Sequence, residues 1–159
     1  MLPAILLLLT AATRLPDWKP MPPETASAWL GFSGATLSIR SVDDAKRPGT
    51  ARRQLTLILP SGATRTLPLQ DGGGHARNHA LNLYHIEPDH FLLVSSKDCV
   101  EIDPIKGKIW GCVRKRACAQ KRIFAGRFDW MNGFDRPRGK FEYGFRFLPD
   151  YDVGEDEGC

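Results

Sequence analysis

Residues 91–113 read FLLVSSKDCVEIDPIKGKIWGCV, and this stretch predicts two antiparallel strands joined by a four-residue turn. Pro104 opens the turn with a fixed φ, and Gly107 suits a closing left-handed position. If 104–107 form the loop, Asp103 faces Lys108, and counting outward sets Cys99 opposite Cys112. Opposed residues of an antiparallel ladder hold their Cβ atoms about 4.5–5.5 Å apart, within reach of a disulfide after a small adjustment. The same count puts Val100, Ile102, Ile109 and Val113 on one face and Cys99, Glu101, Trp110 and Cys112 on the other.

Strand signals recur on both sides of this hairpin. In 35–42, Leu37 and Ile39 alternate with Ser38 and Arg40; 54–59 and 63–69 form a hairpin around Pro60, Ser61 and Gly62. Further strands are expected at 80–86, 90–98, 123–130 and 140–148, the last two flanking the polar loop 131–139, MNGFDRPRG. A second long polar loop covers 43–53. The expected fold is mainly β, a small antiparallel β-sandwich or barrel of about seven strands, stabilised by disulfides and containing little helix. Phe141, Tyr143, Phe145 and Phe147 share one parity, so one strand face is aromatic throughout, either as core or as an exposed stripe for carbohydrate or a partner protein.

The chain begins MLPAILLLLTAAT. Its apolar run, Leu2 to Leu9, is shorter than the ~20 residues that a membrane-spanning helix needs, but it suits the core of a signal peptide over 1–12. No Lys or Arg precedes the run, and Arg14 is the first positive side chain. Residues 13–30 read as an extended Pro-rich leader in which Pro23 and Glu24 would suit the first turn of a short helix over 24–30. Residues 31–149 then form one β-rich domain, and 150–159 an acidic tail. These features predict a periplasmic or secreted protein without a membrane span.

Four cysteines occur without any CxxC pair, which argues against a thioredoxin-like site and a zinc ribbon. In an oxidising compartment they are expected as two disulfides, Cys99–Cys112 and Cys118–Cys159. The second would hold the acidic tail near the basic segment 114–127.

With 42% apolar and 25% charged residues the chain has an ordinary globular composition, and its net charge is +4. Arg114, Lys115, Arg116, Lys121 and Arg122 could together bind an anionic envelope polymer or nucleic acid, although no aromatic residue is interleaved before Phe124, which disfavours nucleic acid. His75, His79, His85 and His90 fall close together, but Gly72–Gly74 oppose the helix that would bring His75 and His79 to one face, and Ala76 stands where an HExxH motif has Glu. On a strand, His79 and His85 would lie ~20 Å apart. A metal hydrolase using His75, His79 and His85 is thus a third reading, behind polyanion binding.

GxSxG is absent, and QDGGGH lacks the Lys and Ser or Thr of a phosphate loop, so no cofactor is expected. The leading expectation is an exported, non-enzymatic binding protein, of inhibitor or immunity type, that acts on another protein. Trp130, Asn132, Phe134, Arg136 and Arg138, in and beside the polar loop 131–139, are its expected contact residues, because aromatic and Arg side chains dominate binding hot spots.

Overall fold

Ala26, Ala28 and Leu30 are buried while Thr25, Ser27 and Trp29 face solvent, so β1 (Glu24–Trp29) is written in a period of two. The short helix expected over 24–30 therefore does not form. A helix would keep Ala26 and Leu30 on one face but turn Ala28 to the opposite side, whereas a strand gathers all three on one face and pairs with its neighbour along its whole length. The structure, a computed structural model, describes residues 24–44, 46–47, 51–72, 80–87, 89–135 and 140–149, with the backbone alone described at 43, 51, 71–72, 87, 130–135 and 140–143. The expected signal peptide, most of the leader and the acidic tail lie outside these residues.

Two antiparallel sheets face each other. The first runs in sequence order, β1, β2 (Thr36–Asp43), β3 (Ala51–Ile58) and β4 (Thr64–Gly72). The second contains β5 (Leu81–Glu87), β6 (His90–Val94), β7 (Cys99–Asp103), β8 (Lys108–Gly111), β9 (Ile123–Asp135) and β10 (Lys140–Leu148), in the spatial order β10-β9-β5-β6-β7-β8. The fold is the sandwich of the two expected architectures and not a closed barrel, with ten strands among the described residues rather than about seven. One short helix, α1 (Arg114–Cys118), accompanies them.

The core lies between the sheets. Leu37, Ile39, Leu55 and Leu57 from the first sheet meet Leu81, Leu83, Leu93 and Ile102 from the second, all essentially inaccessible to water. Phe128 joins them, stacked on Phe145 at 6.3 Å between ring centroids and tilted against Phe147 at 4.7 Å. Each such side chain contributes about 1.5–3 kcal/mol by leaving water. For Phe145 and Phe147 the aromatic stripe of β10 is therefore core and not an exposed surface. The side chains of Phe141 and Tyr143 lie outside the described residues.

A β-bulge makes this packing work. Leu83 pairs with Gly126 and Tyr84 with Phe124, so Ala125 is an extra residue in β9. Without it Phe124 and Phe128, four positions apart, would share one face. The bulge instead leaves Phe128 in the main core and turns Phe124 to the outer side, where its ring meets Tyr84 edge-on at 5.7 Å.

Tyr84, Leu92, Val94 and Ala117 form a second, smaller cluster on that outer side, with Phe124 and both bridged cysteines against it. The central hairpin has the expected register: Asp103 pairs with Lys108, Glu101 with Trp110, and Gly107 has φ +62°. Cys99 and Cys112 are joined, with their Cα atoms 5.2 Å apart. Val113 departs from its expected place on the inner face. The strand ends at Gly111, and Val113 instead precedes α1 with 71% of its surface exposed. Cys118 is disulfide-bonded as well, and its expected pairing with Cys159 lies outside the described residues.

Polar ties hold the sheets at their margins. Arg53 and Asp98 form an ion pair whose side chains are both nearly inaccessible. Asp98 also accepts hydrogen bonds from the Gln70 backbone N–H at 2.8 Å and the Ser95 hydroxyl at 3.2 Å. Arg53 was expected within the loop 43–53, but β3 begins at Ala51 and carries it into the interior, where Asp98 compensates its charge. At the opposite margin the Glu24 carboxylate accepts a hydrogen bond from the backbone N–H of Phe145 on β10.

Candidate functional site

β1 ends on the exposed Trp29 and leads into a turn that displays Phe32. Leu30 and Ala35 are buried at its base and linked by a backbone hydrogen bond, Leu30 N to Ala35 O, of 2.9 Å. Within it Gly34 N donates to Gly31 O at 2.9 Å, the Ser33 hydroxyl donates to Leu30 O at 3.0 Å, and Ala35 N donates to the Ser33 hydroxyl at 3.1 Å. Glycines stand at both ends with φ +62° and +65°, left-handed values that other residues adopt only at a cost. The sequence WLGFSGA thus dictates a closed turn.

Phe32 sits at its tip with a relative exposure of 105%, and Trp29 beside it is 72% exposed. The register Trp29–Thr36–Ile58 continues this apolar spot across three strands, since Ile58 is also exposed. Covering a Phe or Trp releases about 1.5–3 kcal/mol or more. A turn already fixed by its own hydrogen bonds loses little further entropy when a partner covers it. The turn thus holds a fully exposed aromatic side chain on a fixed backbone. Two glycines bracketing an aromatic residue were the signal in the sequence, but the possibility of a helix over 24–30 hid it.

The residues expected to bind a partner are placed differently. β9 continues to Asp135 and β10 starts at Lys140, so 131–135 of the expected loop are strand. Trp130, Asn132 and Phe134 belong to the ladder, opposite Phe145, Tyr143 and Phe141. Asn132, Gly133 and Asp135 favour turns in isolation, but continuous pairing with the aromatic-rich β10 overrides that preference. Arg136 and Arg138 lie outside the described residues.

The basic segment divides in two. Arg114 donates to the Asp98 backbone carbonyl at 3.2 Å, and Arg122 lies over the Tyr84 ring, 5.3 Å from its centroid, while donating to the Cys118 carbonyl. Both fasten α1 and its flanks to the second sheet, and so does Ala117, which enters the outer cluster. Lys115, Arg116 and Lys121 are exposed.

Of the histidines, His75 and His79 lie outside the described residues. His85 meets the Phe91 ring edge-on at 4.2 Å. His90 is on the opposite face of the second sheet, its Nε2 3.3 Å from the Asp103 carboxylate. Burial raises the Asp103 pKa, but the Lys106 backbone N–H, the Lys106 ammonium and His90 outweigh it and hold the carboxyl below its ordinary 3.8. Among the described residues no group of three or more His, Cys, Asp or Glu could hold a metal ion.

No helix among the described residues is long and apolar enough to cross a membrane. No protein-family model, curated protein or solved structure matches the chain.

Proposed function

We propose that this chain is a non-enzymatic binding protein of an oxidising compartment, periplasmic or extracellular, that acts on another protein through the aromatic turn after β1. One observation carries the reading: Phe32 is fully exposed on a turn locked by four hydrogen bonds, with Trp29 exposed beside it. A lone exposed Leu or Phe on a mobile loop is ordinary, but an exposed Phe on a fixed turn, with an exposed Trp at the end of the strand that leads into it, suits the centre of a protein interface. The bridge between Cys99 and Cys112 supports the compartment, because such bonds persist where thiols are not kept reduced. An inhibitor or immunity factor would use such a scaffold, a braced sandwich presenting one small hydrophobic anchor.

The test begins with partner capture from envelope and culture-medium fractions, followed by affinity measurement with the purified pair. Phe32→Ala and Trp29→Ala should each weaken the complex at least tenfold while the melting temperature stays unchanged. Wild-type affinity in both variants would refute the assignment, and weakening confined to Trp130→Ala and Phe134→Ala would move the contact to the β9–β10 hairpin.

A further inference from the structure

On the outer face of the second sheet an open groove of about 350 Å³ runs between the β7–β8 hairpin and α1. Glu101 and Trp110, cross-strand partners, line it from the hairpin, Arg116 and Gln120 from the helix side, and His90 from β6. The volume falls within the range of about 300–1,000 Å³ typical of small-ligand sites. Ile86 and Val113 complete it with apolar surface.

The chemistry of the lining is mixed in a specific way. Trp110 is 37% exposed, so part of its ring is open to a ligand. Glu101, Arg116 and Gln120 make no side-chain hydrogen bond or ion pair with another described residue. Glu101 ionised can only accept hydrogen bonds, Arg116 can only donate, and Gln120 can do both. A complementary ligand therefore needs hydroxyl donors and acceptors close together plus an apolar face to lie on the indole. Sugar rings supply all three at once, with C–H groups on one face and hydroxyls around the rim. A purely apolar ligand would strand the charged groups. A zwitterionic amino acid would depend on an ion pair to Arg116, which is exposed to water and so offers little energy.

We propose that this groove binds a saccharide, with Trp110 stacking on the C–H face of a sugar ring and Glu101, Arg116 and Gln120 hydrogen-bonding its hydroxyls. Its walls are prearranged. The Cys99–Cys112 bridge fixes the base of the hairpin, and the contacts of Asp103 with His90 and Lys106 fix its tip. The site lies on a different sheet from the aromatic turn, so a protein partner and a glycan could be held together.

Titration of the full chain with cellotetraose, maltotetraose and chitotetraose, followed by two-dimensional amide and indole NMR, tests this. At least one of the three should shift the Trp110 indole resonance with saturation in the millimolar range or tighter. Glu101→Gln should weaken that binding at least fivefold without changing the melting temperature. Trp110→Ala should abolish it, and Trp110→Phe, which keeps a stacking ring and preserves the fold if the alanine variant does not, should retain part of it. Absence of any shift with all three sugars, shifts that survive Glu101→Gln and Trp110→Phe undiminished, or a stronger response to free glycine or lysine would overturn the proposal.

Discussion

The Arg53 guanidinium and the Asp98 carboxylate meet at 3.1 Å in the interior and join the two sheets. They come from β3 and from the turn between β6 and β7, so neither sheet alone contains the pair. Removing one partner leaves a buried charge uncompensated. Asp98→Ala should therefore destabilise the fold by about 3–5 kcal/mol, whereas Arg53→Met combined with Asp98→Asn, whose amide oxygen can still accept from the Gln70 N–H and the Ser95 hydroxyl, should cost less. Urea denaturation of the three proteins checks this, and equal losses in the single and double variants would contradict it.

The bridge between Cys99 and Cys112 closes a short loop, with a sequence separation of 13. Replacing both with alanine should lower stability by about 3 kcal/mol on the chain-entropy argument. The melting temperature of the doubly substituted protein, compared with wild type under non-reducing conditions, gives the answer. Because the register is also held by the turn and the ladder, the hairpin itself should persist in amide exchange.

Gly107 closes the central hairpin with φ +62°, and a Cβ there would stand 2.7 Å from a methyl carbon of Leu59. Gly107→Ala combines a left-handed backbone with that close approach and should cost about 1–2 kcal/mol or more. A thermal melt showing no loss would mean that the turn had changed its conformation.

Asp103 gives the pH dependence a sign. Its folded pKa lies below the ordinary 3.8, so its contribution is complete above that value and is lost as pH falls through the lower folded value. The denaturation midpoint should therefore fall, as pH drops below 3.8, more steeply in wild type than in Asp103→Asn. Identical profiles would remove Asp103 as a contributor.

The central hairpin was legible because Pro104, Gly107 and the two cysteines leave one register that satisfies them all. The strands of alternating Leu37 and Ile39 were legible for the same local reason. Arg53 was not, since a charged residue next to a polar run looks like a loop, and only Asp98, 45 positions later, makes its burial tolerable. The extension of β9 through Asp135 was hidden by turn-forming residues whose preference yields to the partner strand. The groove was half visible: Glu101 and Trp110 were placed on one face by counting, but nothing local shows that α1 crosses that face and brings Arg116 and Gln120 to it.

The hydrogen bond from the Phe145 backbone N–H to Glu24 has a consequence for how molecules of this protein behave towards one another. β10 is the end strand of its sheet, and an end strand offers a row of unsatisfied amides to any extended peptide nearby. A carboxylate seated on one of those amides occupies a docking position and places a negative charge where an incoming strand would lie. At high concentration, wild-type chains should stay apart where Glu24→Ala chains begin to join edge to edge into fibrils.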